Sequence, residues 1–446
     1  MSSPSQQSLP NDKIQSVSSD LSSPQPGPAV GGPYAYYVLA VLFVVYIFNF
    51  IDRQILAILL EPIKQDLKVS DTALGFLTGF AFAVFYTFAG LPLARIADRW
   101  VRRSLIAISL ATWSLMTAVS GLSRNFTDLA LARIGVGIGE AGASPPAHSL
   151  LSDYFPPEKR ATVIAIYASG IYVGVGIGFW LGGWINDAYG WRMAFFVVGL
   201  PGLLLALLVR FTIREPLRGM SEHAVTSTQQ YTIADAWRFF ASLPTGRRLA
   251  LAAGFHAFVS YGLGAWIPAF FVRLHHMTPG ELGNWLSWIT ALGGGGGTFF
   301  GGWLADRWVH REPRARMYIG LIGVTLAIPT VAAALLLENT RWALLMYLPA
   351  SVCSTIWIGP AFATAQDLVP PTMRAMASAV FLFITTMIGM GLGPQTVGIM
   401  NDLIGTPDAI RYSLLGASTV MNVISAVFFW LAAQSLVADL EAKKRL

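Results

Sequence analysis

Along most of the chain, apolar stretches of roughly 20 residues alternate with short polar breaks, and each stretch is long enough to cross a bilayer as a helix. Twelve spans are predicted, at about 36–60, 71–92, 104–122, 127–151, 161–185, 191–212, 247–271, 281–302, 315–337, 341–365, 374–399 and 409–434. Residues 1–33 are rich in Ser, Pro, Gln and Gly, have no apolar run, and read as a disordered tail without a cleavable signal peptide. A polar linker over 213–246 contains REPLRGMSEH and the amphipathic piece IADAWRFF. The expected organisation is an N-terminal six-helix bundle over 34–212, that linker, a C-terminal six-helix bundle over 247–434, and a tail over 435–446.

Composition supports this all-α, polytopic class. Hydrophobic residues make up 54% of the 446 and charged residues 12%, about half the charged share of a soluble domain. The single cysteine, Cys353, has no partner for a disulfide or a metal site and reads as a packed small residue. The six histidines show no H-x-x-x-H or E-x-x-H spacing. There is no P-loop, no G-x-S-x-G and no pair of catalytic carboxylates. No metal, cofactor or enzymatic activity is therefore expected; an enzyme acting on lipids would need a nucleophile or metal cluster near the headgroup plane.

A net charge of +6 would suit nucleic acid, but the placement of the basic residues explains it better. Of 30 Lys and Arg, 21 fall on the side of the termini and seven (Lys64, Lys68, Arg124, Arg192, Arg273, Arg341 and Arg411) on the other. The inside-positive rule then puts both termini and the linker in the cytoplasm, with no nucleic-acid partner.

The two halves repeat. ARIADRWVRR at 94–103 matches GWLADRWVHR at 302–311, an offset of 208; PPEKRA at 156–161 matches PPTMRA at 370–375, an offset of 214; Asn186-Asp187 matches Asn401-Asp402, an offset of 215. Three matches in order imply a duplicated six-helix unit, as in transporters whose pseudo-symmetric halves rock about a central site.

These motifs resemble the major facilitator superfamily over about residues 35–435. Both copies approach its G-x-x-x-D-R-x-x-R-R loop, with Ala94 at the glycine position of the first and Gly302 in the second. RIGVG in the fourth span matches the superfamily's R-x-x-x-G pattern; the fifth, GIYVGVGIGFWLGG, approaches the antiporter motif but lacks its proline. NFIDRQILAILLEPI at 49–63 with RIGVGIGEAG at 133–142 is similar to the spinster family, which includes proton-linked sphingosine-1-phosphate exporters and lysophospholipid transporters. The resemblance implies a twelve-helix transporter working by alternating access. It maps the family's charged pairs onto Asp52, Arg53, Arg133 and Glu140. It also implies a latch at the loop carrying Asp98, Arg99, Arg102 and Arg103, with Asp98 meeting a helix N-terminus of the other half, and a repeat copy at Asp306.

The residues themselves support a polar interior. A charged side chain at the bilayer centre costs about 2.5–3.5 kcal/mol on insertion scales, so such groups usually face an interior cavity. Arg133 and Glu140 are seven residues apart on one helix face, about 10 Å along the axis, too far to bond each other. The expectation is that Arg53 pairs with Glu140 in one conformation while Asp52 and Arg133 complete the cluster. Glu140 is then the preferred proton carrier and Asp52 the second; the alternative is a static ion pair that only fixes packing.

The C-terminal half carries almost no mid-membrane charge. At the offset of 214, Tyr347 and Ser354 stand where the other half has Arg133 and Glu140. It instead supplies Phe258, Tyr261, Trp266, Trp288, Trp357, Phe381 and Phe383. A cavity charged on one wall and aromatic on the other suits a lipid or other small amphipathic substrate, moved across a bacterial inner membrane by a monomer and coupled to protons. A multidrug or small-solute exporter and a non-transporting lipid sensor are the alternatives. GGGGG at 293–297 and Gly170, Gly174 and Gly178 permit close helix packing, and Pro145-Pro146 and Pro360 are expected to break their helices.

Overall fold

The computed structural model describes residues 30–221, 233–370 and 373–444, and among them every regular element is helical. Ten helices are long and apolar enough to cross a membrane. Two further spans complete the twelve. The fourth is divided into Phe126–Ala141 and Ser144–Tyr154, just where Pro145 and Pro146 deny backbone donors to a continuous ladder. The eighth runs through Pro279–Ile289, a π-helical turn Thr290–Gly295 and Gly296–Val309; its glycine run dilutes the hydropathy without stopping the helix. The tenth breaks between Thr340–Thr355 and Ile358–Asp367, two residues before Pro360.

Helix starts follow local chemistry. Proline occupies the first turn at Pro33, Pro157, Pro244 and Pro279, where its missing N–H costs nothing. The duplication is visible in the turns as well as the motifs. Lys68 and His276, 208 residues apart, both adopt positive φ at 52°. Gly190 and Gly405, 215 apart, have φ of 83° and 66°.

Within the N-terminal half the first span packs on the fifth and the third on the sixth; within the C-terminal half the seventh packs on the twelfth and the ninth on the tenth. The halves meet where the fifth span crosses the eighth and the second crosses the eleventh. Gly294 serves that interface, since a Cβ there would lie 3.0 Å from the ring of Tyr172 on the fifth span.

Two boundaries differ from the sequence reading. The seventh span starts at Pro244, inside the expected linker, and a short helix Ile233–Ser242 precedes it, placing Phe240 against Phe381. The twelfth helix, Ala409–Lys444, runs on through most of the residues expected as a tail. Leu436 is buried there, and the Asp439 carboxylate accepts a bond from the Thr245 backbone N–H at 2.8 Å. A tertiary helix cap thus holds the extension in place.

Candidate functional site

The first span, Pro33–Ile58, presents Asp52 and Arg53 to the fourth, whose Arg133 and Glu140 lie nearly two turns apart. Neighbours on the first helix point about 100° apart and so reach different partners. Arg53 Nε donates to Glu140 Oε2 at 2.6 Å, and Arg133 donates to Asp52 Oδ1 at 2.8 Å. The second oxygen of Asp52 accepts from the Thr117 hydroxyl on the third span. Glu140 differs: its Oε1 is buried without a hydrogen-bond partner among the described residues.

Three rings surround the Arg53 guanidinium, with centroids of Phe50, Phe82 and Tyr86 at 5.1, 4.9 and 4.8 Å. A cation over aromatic faces gains roughly 0.5–2 kcal/mol, more as water is removed. The side chain of Arg53 is 17% exposed and that of Glu140 is closed off entirely. Arg53 is therefore the layer between Glu140 and solvent. From the opposite half Tyr261, on the seventh span, is 40% exposed and close enough to Arg53 to interact electrostatically. Tyr172 and Thr298 join their hydroxyls across the same interface.

The other expected aromatics lie elsewhere. Trp266 is fully buried and its Nε1 donates to the Pro394 carbonyl at 2.8 Å. Trp357 donates to the Ser354 carbonyl and meets His256 edge-on. Phe381 is buried between Phe240 and Phe362. Phe258 is buried, and Phe383 packs edge-on against Trp237. Trp288 is 69% exposed, in line with Trp285, Leu292, Phe299 and Trp303, the spacing of a lipid-facing stripe. Of these aromatics only Tyr261 reaches the Arg53–Glu140 pair; the rest fill the core or the outer surface.

The arginine loop is tied within its own half. Arg102, fully buried, donates to Asp153 at 2.5 Å, to Glu215 at 2.8 Å and to Ser149 at 2.7 Å. Arg103 donates through NH1 to the Ile213 carbonyl and through its backbone N–H to Glu215. Both arginines thus tie the start of the linker to the third span, and Arg102 ties it to the fourth as well. Arg99 is exposed, Asp306 is exposed and bonds to no described residue, and the side chain of Asp98 lies outside the described residues.

At the opposite end, remote from the termini, the halves are locked together. Arg273 donates to both oxygens of Asp71, at 2.5 and 2.8 Å, and to Glu61 at 2.6 Å. Lys64 and Asn401 also donate to Asp71. Arg273 and Lys64 lie on the side with few basic residues, which gave no sign that Arg273 joins the halves there while Lys64 supports its partner Asp71. Twelve spans with a buried ion-pair cluster inside one half, and ion pairs joining the two halves at one end, define a membrane transporter.

Known proteins agree with that class. Residues 42–394 match the Major Facilitator Superfamily. The chain is 32% identical to an MFS-type efflux pump of Mycolicibacterium smegmatis, over 92% of this chain and 95% of that one. It is 26% identical to protein spinster homolog 1 of Xenopus tropicalis, over 90% and 81%. A solved bacterial homologue of the human lysosomal transporter spinster, inward-facing and unoccupied, matches with a TM-score of 0.84 at 32% identity, covering 91% of this chain and 98% of that one. The chain belongs to the major facilitator superfamily and, within it, to the spinster family of transporters.

Proposed function

We propose that the protein is a proton-coupled transporter that moves a lysolipid or sphingolipid-like amphiphile by alternating access, with Glu140 as the proton carrier and Asp52 in support. The carrying observation is the state of Glu140: buried, one oxygen held by Arg53 and the other without a partner among the described residues. If Arg53 turns toward an anionic substrate group, the carboxylate loses its cation in a low-dielectric site, and a proton supplies the missing charge. Arg53 thus links substrate and proton, with Arg133 holding Asp52 beside it. Tyr261 contributes from the facing wall, where the apolar part of the substrate lies. The protein works as a monomer in a bacterial inner membrane, with its termini in the cytoplasm.

The test is flux in proteoliposomes under an imposed pH gradient, across a panel of lysolipids, a sugar and an amino acid. Lysolipid flux driven by the gradient is expected, and Glu140→Gln retains lysolipid binding while its flux no longer responds to the gradient. Undiminished gradient-driven flux in that variant would reject Glu140 as carrier. Sugar transport without lysolipid transport would reject the cargo. A second reading, export of drugs or small organic solutes, is favoured by the similarity to the mycobacterial efflux pump; competition by lysolipids in the same vesicles separates the two.

A further inference from the structure

The repeated Asn-Asp at 186–187 and 401–402 has no part in the central cluster of Asp52, Arg53, Arg133 and Glu140. Each aspartate instead lies against the first turn of a helix in the opposite half. The Asp402 carboxylate accepts from the backbone N–H of Asp71 at 3.1 Å and of Thr72 at 2.7 Å. The Asp187 carboxylate accepts from the backbone N–H of Gly280 at 2.9 Å. Moving Thr72 by 208 positions gives Gly280, and moving Asp187 by 215 gives Asp402, the offsets read from the sequence motifs. It is one contact made twice.

Each contact completes a helix start. At the second span Ser70 Oγ takes the N–H of Ala73, leaving those of Asp71 and Thr72 for Asp402. At the eighth, Thr278 Oγ1 takes the N–H of Glu281, Pro279 has none to offer, and only Gly280 remains for Asp187. The first-turn donors of a helix need partners from outside the helix, and here the partners come from the other half. A carboxylate is also favoured there by the helix dipole. Close backbone contact accompanies both: a Cβ at Gly183 would collide with the Pro279 carbonyl, and one at Gly398 with that of Asp71.

We propose that Asp187 and Asp402 are reciprocal helix caps that hold the end remote from the termini shut and set the balance between the two access states. Opening this end strips three N–H groups of their carboxylates at once. Asp402 carries the larger share, with two donors and the neighbouring Arg273–Asp71 pair. Asp187 carries the smaller, because proline removes one donor from its helix.

Double electron–electron resonance between spin labels on the two hairpins at this end tests it, using Lys68→Cys and Thr406→Cys in a Cys353→Ser background. Asp402→Ala is expected to lower the ratio of closed to open distances about fivefold, the effect of losing a cap of ordinary strength. Asp187→Ala lowers it about twofold, and Asp402→Asn, which keeps an acceptor oxygen, falls between wild type and Asp402→Ala. Thermal unfolding of each variant is read in parallel. Lower stability with an unchanged distance ratio would mean an ordinary structural cap and overturn the proposal, as would Asp402→Asn behaving like Asp402→Ala.

Discussion

The two six-helix halves share a backbone plan and differ in what they bury. Between its first and fourth spans the N-terminal half holds two ion pairs, with contacts of 2.6 and 2.8 Å. The C-terminal half has Tyr347 and Ser354 at the positions matching Arg133 and Glu140, and its buried titratable group at mid-span is His256 beside Asn422. Duplication preserved the scaffold down to positive-φ turns, while the interior chemistry diverged. The energetics favour such a division. Each charged residue costs about 2.5–3.5 kcal/mol at the bilayer centre, so a second cluster would add that cost without adding a function the first does not supply. The buried ion pairs are thus concentrated in one wall.

Breaking the N-terminal pairs should have the largest effect. Asp52→Asn leaves Arg133 buried without its counter-charge, and removing one member of a buried pair destabilises by about 3–5 kcal/mol. Adding Arg133→Gln is expected to restore most of that loss, because no charge then remains unpaired. Tyr347→Phe, the matching change in the C-terminal half, should cost less than about 1.5 kcal/mol, the scale of one ordinary hydrogen bond. Unfolding of the purified protein in detergent measures all three. A Tyr347→Phe loss as large as that of Asp52→Asn would erase the asymmetry.

How much of this was legible in the sequence depended on how far each signal reached. The spans were readable because a bilayer demands long apolar runs, and all twelve fall close to the predicted positions. Asp52, Arg53, Arg133 and Glu140 stood out because charge in such a run needs a partner, and adjacency on one helix with a seven-residue spacing on the other limited the pairings. The aromatics were not legible. Trp266, Trp357 and Phe381 are as apolar as their surroundings, and only the rotation of each helix decides whether a ring faces the cavity, the core or lipid. Thr117, the second partner of Asp52, gave no signal because a threonine in a membrane helix ordinarily bonds its own backbone, as Thr117 also does with the Trp113 carbonyl. Asn186-Asp187 was visible as a repeat, but its task required knowing which helix starts it meets.

A smaller effect sharpens the comparison from the C-terminal wall. Tyr261→Phe removes a hydroxyl within electrostatic reach of Arg53, and losing one substrate hydrogen bond of about 0.5–1.5 kcal/mol predicts a rise in KM of about two- to tenfold. Its flux should retain the wild-type dependence on the pH gradient. That outcome separates a wall that binds from one that couples, and altered gradient dependence at wild-type KM would reverse the assignment.

The smallest expected effect is at His256, where the comparison is most exposed to failure. Imidazole is the side chain best suited to titrate near neutral pH, so a buried histidine is the natural rival to Glu140. Its setting argues against that role. His256 is fully buried, its Nδ1 lies 2.7 Å from Asn422 Oδ1 on the twelfth helix, and Trp357 covers it edge-on. The seventh and twelfth helices pack along their length within one half, so the contact does not lie between the surfaces that must separate. A proton carrier has to reach solvent on both sides in turn. Glu140 is covered by the part-exposed Arg53, which lies within electrostatic reach of Tyr261 in the other half, whereas His256 is enclosed by Asn422 and Trp357 of its own half. His256→Gln keeps a polar partner for Asn422, and stability is expected to fall by about 1 kcal/mol, the value of one neutral hydrogen bond. The pH profile of lysolipid flux in proteoliposomes should stay within about 0.3 pH units of wild type, a twofold change in proton activity. A shift of a full unit would place proton chemistry in the C-terminal half and end the division of labour between the two walls.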